Sequence, residues 1–407
     1  MKQEKKIGSR PVIYVTRDIE RALGLPLDTR GYFVVANKTD FAVSIAKNNK
    51  NVLLIKEKKL LDTRELLAHK KTKAFIAPFA QPKIMVFKNT PQIERICHES
   101  GWPLLNPPSL LSNRVEEKLS QLSWLGALSS YLPPHTKEEC NNITWQDIPF
   151  MLQFNRAHTG LGTTFITSKK QLRAIQKKFP KREARVTAYI DGPMFTVNAV
   201  VTDSTILVGN ISYQITGLKP FTDERFATVG NDWMLPSILL NAEQRTRIAT
   251  LARYVGKRLK KDGWLGLFGI DVICEKKTGK LFLIEINARQ PASAVFESWL
   301  QKKQKKTQPK TQTICEAHIC ALLKKKTHLP LTNIKNGAQL VQRVTKKRHT
   351  LRKIIPGQHH GFFVIPYANT DHNADLLRIQ SDTWVMQKNG ILNTTGKEIL
   401  SLVHDMV

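Results

Sequence analysis

Two apolar runs, LFGIDVI (267–273) and LFLIEINARQP (281–291), flank a short polar turn, EKKTG (275–279). Such a pattern folds back as a hairpin. Strand side chains alternate between faces, so Glu285, Asn287 and Arg289 share one face of the second strand. A turn centred near 277 sets Asp271 opposite residues 283–285. Leu283, Ile284, Ile286, Ile270 and Val272 keep the remaining positions apolar, which argues against a merely solvated edge. Two carboxylates brought together repel unless a cation offsets them. The oxygens of Asp271, Glu285 and Asn287 suit Mg²⁺, which takes one or two carboxylates, waters and phosphate oxygens. Arg289, one strand step on, can grip a phosphate oxygen held by the same ion. The hairpin therefore predicts a metal–phosphate site.

The rest of the chain predicts what surrounds it. PVIYVT (11–16), GYFVVA (31–36) and NVLLIK (51–56) are short strands separated by helical or loop segments, with KAFIAPF (73–79) and KIMVFK (83–88) expected to extend the sheet. This alternation gives an α/β domain with a parallel sheet over 1–112. No GxGxxG follows the first strand, so it is not a dinucleotide fingerprint. Residues 113–134 are mostly helical. FMLQF (150–154), a Gly/Thr loop (156–164) and FIT (165–167) then form a strand–loop–strand unit, followed by a helix capped by Ser168. ARVTAYI (184–190) and MFTVNAVV (194–201) are expected to pair antiparallel across DGP. Residues 241–263 are the clearest helix, with Asn241 and Gln244 suiting a capping box, Gly263 a stop, and Ile248, Leu251, Ala252, Val255 and Leu259 an apolar stripe. The basic run 301–313 is expected to be a loop or partly disordered insert, 314–326 an amphipathic helix, and 331–407 a C-terminal α+β segment.

Composition bounds the partners. Hydrophobic residues make up 41% of the 407, enough for real cores, and no apolar run is long enough to span a membrane. Five scattered cysteines form no CxxC pair or zinc spacing, and the basic start MKQEKKIGSR leads into no signal-type apolar segment. A cytoplasmic setting is the expectation. The 63 basic and 33 acidic residues leave a net charge of +30, spread along the chain, so nucleic acid is expected to bind only through non-specific charge.

The hairpin, with the order of elements over roughly 10–325, closely resembles the metal-binding end of ATP-grasp enzymes. The resemblance implies an N-terminal pre-ATP-grasp domain and a two-lobed ATP-grasp domain over 113–330, with its small lobe at about 145–200. ATP would lie between the lobes, with Mg²⁺ (Mn²⁺ as the alternative ion) on Glu285, Asn287 and Asp271 and with Arg289 on phosphate. Lys118 matches the family lysine that reaches the nucleotide, and Gly160, Gly162 and Thr163 match its phosphate-covering loop. Gln153 stands where the family usually carries a phosphate-facing lysine; it can hydrogen-bond but brings no charge. VTAYIDG (186–192) resembles the adenine-binding hinge, where Ala188 and Ile190 would offer backbone groups. Arg225, Asn231, Asp232, Gln290 and Ser293 are the candidates on the substrate side.

The implied reaction is ADP-forming: ATP phosphorylates a carboxylate, and an amine then displaces phosphate. The small-molecule substrates would be an amino acid or peptide-like carboxylate and an amine, and a homodimer would be in keeping with relatives. Two alternatives stand beside it. One is a biotin-carboxylase-like enzyme, for which 331–407 would be the C-terminal domain. The other is a basic nucleic-acid-binding protein on a degenerate scaffold of this kind.

Overall fold

The structure, a computed structural model, describes residues 10–155, 163–352 and 355–407. Near the N-terminus, β1 (Val12–Val15), β2 (Tyr32–Asn37), β3 (Val52–Ile55) and β4 (Lys83–Val86) form a parallel sheet in the order β3-β2-β1-β4. β1 is buried on both faces, as expected of a parallel sheet covered by helices. Val12 and Tyr14 face the rest of the protein, whereas Ile13 and Val15 pack under Leu66, Leu67, Ile76 and Ile93. The run 73–79, expected as a strand, lies instead in the helix Lys70–Ile76 and the turn after it. Its buried residues Thr72 and Ile76 are four apart, a helical spacing.

A second sheet, all antiparallel, contains β5 (His135–Glu139), β6 (Phe150–Gln153), β7 (Thr163–Ile166) and β8 (Glu183–Ala188) in the order β5-β8-β6-β7. Phe150, Leu152 and Ala184 face a core closed by Leu172 of the helix Lys169–Lys178, whose cap is Ser168 as expected. The alternate positions, Gln153 and Arg185, are paired in register on the other face.

The third sheet has nine strands. It takes in β9 (Met194–Val201), β10 (Ile206–Thr216), β11 (Thr228–Asp232), β12 (Gly266–Cys274), β13 (Leu281–Asn287), β14 (Ala338–Arg343), β15 (Gly357–His359), β16 (Phe362–Pro366) and β17 (Asp375–Ser381). The order is β13-β12-β9-β10-β11-β14-β17-β16-β15, so strands of the last 77 residues continue the sheet that begins with the hairpin. The expected pairing of 184–190 with 194–201 does not form. β8 pairs with β5 and β6, while β9 pairs with β10 and β12. The chain changes sheets at 189–193 because this crossover is bonded to the end of the hairpin: Cys274 N donates to Pro193 O at 3.0 Å and Lys276 N to Asp191 O at 2.9 Å. Gly192 is required there, since a Cβ would sit 1.9 Å from the Cys274 carbonyl oxygen.

The helix Ala242–Lys261 has the expected Asn241–Gln244 capping box and buries its whole predicted stripe against this sheet. The basic run 301–313 is ordered, contrary to expectation. Its first residues end the helix Ala294–Gln304, and three of its polar residues, Gln301, Gln312 and Thr313, are buried. Gln301 Nε2 donates to Thr332 O at 3.2 Å and its Oε1 accepts from Ile314 N at 2.7 Å; Gln312 Nε2 donates to Leu329 O at 2.6 Å. Lysines cover the outside of a segment pinned by glutamines. Among the described residues no helix is long and apolar enough to cross a membrane.

Glu297 fastens the same helix to the sheet. It is fully buried, accepting from Asn198 Nδ2 at 2.7 Å and from Asn210 N at 2.8 Å. Burial, only partly offset by these bonds, pushes its carboxyl up from 4.5 to about 7. The folded protein thus holds this proton more tightly than the unfolded chain. The stabilisation is complete below pH 4.5 and is lost as pH rises through about 7. The loss is on the order of 3 kcal/mol. Urea unfolding at several pH values between these limits should show the decline, and Glu297→Gln should flatten it.

Candidate active site

The hairpin register places Asp271 directly opposite Glu285 and Gly269 opposite Asn287. A bulge after Asp271 leaves Val272 opposite Leu283, which keeps the acidic pair in line despite the odd residue Ile284. On its other side Asp271 lies opposite Thr196 of β9. Thr196 Oγ1 donates to Asp271 Oδ1 at 2.7 Å, and Asn287 Nδ2 donates to Asp271 Oδ2 at 3.2 Å. The three predicted oxygen donors therefore form one row.

Cations converge on it. Lys118, between the helices Ser109–Glu116 and Ser120–Leu125, brings Nζ to 3.1 Å from Glu285 Oε1. Arg289 is held by Glu116, which also takes Lys88 Nζ at 2.6 Å. The charges split the two acids. Lys118, followed by Arg289, holds Glu285 below the usual carboxylate range, whereas burial and then the Glu285 charge push Asp271 up to about 6. A third cation was not foreseen: Arg185 of β8 is 2% exposed and feels the Glu285 charge. Its Nε donates to Gln153 Oε1 at 2.8 Å and its Nη1 to Gln121 Oε1 at 3.1 Å. Gln153, at the position where the family usually carries a phosphate-facing lysine, supports this guanidinium.

Residues 115–293 match the family model for the ATP-grasp domain. They form an ATP-grasp domain. No curated protein sequence matches the chain. Solved structures give the same fold. A biotin carboxylase–beta-gamma-ATP complex from Campylobacter jejuni superposes with a TM-score of 0.69 at 14% identity, covering 98% of this chain and 92% of its own. N5-carboxyaminoimidazole synthetase from Staphylococcus aureus gives 0.65 at 11%, covering 98% and 99%. The Aspergillus clavatus N5-carboxyaminoimidazole synthase in complex with ADP and 5-aminoimidazole ribonucleotide gives 0.62 at 14%, covering 98% and 100%.

The other predicted ATP-grasp positions divide. Gly160 and Gly162 lie outside the described residues; Thr163, at the start of β7, accepts from Gln153 Nε2 at 3.2 Å. At the hinge, Ala188 N donates to Pro134 O at 2.9 Å. Ile190 has no backbone partner among the described residues, and it packs with Ile273, Phe282, Ala188, Met194 and Ile284.

The substrate-side candidates are largely structural. Asn231 and Asp232 are buried in β11. Asp232 accepts four backbone N–H groups, from Met234, Leu235, Val385 and Met386, which uses all its lone-pair directions. Asn231 links Ser212 to Gln339. Arg225 lies over Phe165, Tyr189 and Phe226, with Nη2 donating to Tyr189 Oη at 3.2 Å. Gln290 accepts from Tyr14 Oη and donates to Arg21 O, both at 2.9 Å, stitching the metal strand to the N-terminal sheet. Ser293 accepts from Asn198 Nδ2 at 3.0 Å, beside Glu297.

Thr196 offers a test of the row. Thr196→Val keeps the shape but leaves an Asp271 oxygen unpaired. It should cost about 1–3 kcal/mol in denaturant unfolding near pH 8, and should push Asp271 further up because the lost bond is one that lowers it.

Proposed function

We propose that this chain is an ADP-forming ATP-dependent ligase, which activates a carboxylate as an acyl phosphate and transfers the acyl group to an amine. The observation that carries the proposal is the row Asp271–Glu285–Asn287, faced by Lys118 and Arg289 within an ATP-grasp domain. The donor set fits Mg²⁺. It offers two carboxylates and an amide oxygen, and the described residues contain no group of three or more His, Cys, Asp or Glu side chains placed to hold a metal ion. Such a site leaves places for water and phosphate oxygens, as Mg²⁺ favours. When bound, the ion would neutralise phosphate charge as it builds in the transition state.

The chain's own groups account for the remaining work. Lys118 and Arg289 hold positive charge at the phosphates, and Glu116 fixes the direction of Arg289. The backbone of Ile190, with the apolar Met194 and Ile284 beside it, receives the base at the hinge. A substrate carboxylate oxygen attacks the terminal phosphorus and ADP leaves. The amine nitrogen then attacks the acyl carbon and phosphate leaves. The acceptor lies beside the metal strand, toward Gln290 and Ser293; Arg225, on its aromatic cluster, marks the mouth between the lobes.

A second reading follows from one observation. The similar structures, carboxyaminoimidazole synthetases and a biotin carboxylase, span this chain almost end to end, including 331–407. On that reading the activated carboxylate is bicarbonate, and a separate carrier or small amine takes the carboxyl group.

The deciding experiment is turnover of Mg·ATP with pools of amino acids, small carboxylates and bicarbonate, reading ADP and AMP. ADP and phosphate should appear with one pool only, and Glu285→Ala should lower the rate by about 100-fold or more. Release of AMP would overturn acyl-phosphate chemistry, and dependence on bicarbonate would select the second reading.

A further inference from the structure

Two arginines among the described residues are almost wholly enclosed, and they are treated differently. Arg378 has a carboxylate partner, Asp375, at 2.9 Å. Arg185 has no carboxylate within 4 Å among the described residues, only the amide oxygens of Gln153 and Gln121. Removing a guanidinium from water without a counter-ion is costly. Neutral amides satisfy its N–H groups without supplying charge. The strain shows in its titration: burial pulls Arg185 down to about 10, against the pull of Glu285.

Its surroundings are built to hold it. Gln121 is fully buried and anchored through Nε2 to Val115 O at 2.7 Å, so its oxygen is fixed on Arg185. Gln153 is anchored through Nε2 to Thr163 Oγ1. With Nε and Nη1 both engaged, Nη2 has no hydrogen bond among the described residues. The pair sits on the face of the small-lobe sheet opposite its core, at the end of β6 from which the 156–162 segment departs. A pre-positioned cation lacking its anion, with one free donor edge and the acid row within electrostatic reach, is a site for an incoming polyanion.

We propose that Arg185 binds the phosphate chain of the nucleotide, carrying on β8 the positive charge that Gln153 does not carry on β6. This rests on the ligase reading above. It also explains the glutamine: a lysine at 153 would set an ammonium against the guanidinium, whereas an amide oxygen orients it.

The test is nucleotide affinity, measured by calorimetry without turnover. Arg185→Gln should weaken Mg·ATP and Mg·ADP by about tenfold or more while leaving AMP within about twofold, because only the longer phosphate chains use the guanidinium. Gln153→Lys alone should weaken ATP binding. The double variant Gln153→Lys/Arg185→Gln should recover most of the affinity by returning one cation to the same face. Unchanged ATP affinity in Arg185→Gln would overturn the proposal. So would equal loss of AMP and ATP, which marks a structural role, or a double variant as weak as Arg185→Gln. If the wild type itself bound no Mg·ATP, the ligase reading would fall and take this one with it; wild-type binding with an indifferent Arg185 would sink this one alone.

Discussion

Everything around the site answers one electrostatic problem, the two carboxylates that the hairpin sets opposite each other. In a half-buried setting neither can be ionised freely beside the other. The protein divides them. Glu285 keeps its charge because Lys118 lies 3.1 Å away, and Asp271 gives up some acidity to burial and to the Glu285 charge, while Thr196 and Asn287 bond its oxygens and limit the loss. The cations come from three parts of the chain: Lys118 from an interhelical segment, Arg289 from just beyond β13, and Arg185 from β8 of the four-stranded antiparallel sheet. Placing them brings the interhelical segment, the nine-stranded sheet and the four-stranded antiparallel sheet together here. That is why the elements joining the sheets are so closely fitted, from Gly192 against Cys274 to Gln290 against Tyr14.

The segment just beyond the row shows how one strand can serve two ends. Arg289 faces the site, while the next residue, Gln290, bonds to Tyr14 and to the backbone of Arg21. Three residues further on, Ser293 meets the Asn198–Glu297 cluster that fixes the following helix. Polar residues beside a metal strand thus divide between facing the cleft and tying domains together. Sequence spacing alone does not separate the two roles.

The features legible in the sequence were those fixed by local periodicity. Alternation along 281–291 and the short turn set the pairing of Asp271 with Glu285, and the i, i+3, i+4 spacing of 248–259 set the buried face of its helix. What escaped was non-local. Residues 184–190 and 194–201 look like a hairpin because both are β-rich and flank DGP, but the crossover bonds to Cys274 and Lys276 send them into different sheets. Asp232 is a substrate-side candidate by sequence, yet its four backbone donors include two from residues more than 150 positions away. The 301–313 run looked disordered from its lysines, because a charge count does not register the enclosed amides of Gln301 and Gln312.

Arg185 shows the same limit at the site itself. Its strand, Glu183–Ala188, carries no motif of its own, and the charge question attaches to Gln153, 32 residues earlier. The two become a single unit only through the register of β6 on β8, which places their side chains on one face within hydrogen-bonding distance. A sheet face is a two-dimensional surface, and a ligand meets the charge on it without regard to which strand supplies that charge. A motif written along one strand records a missing lysine, whereas the ladder records a cation moved sideways and held by the residue that replaced it.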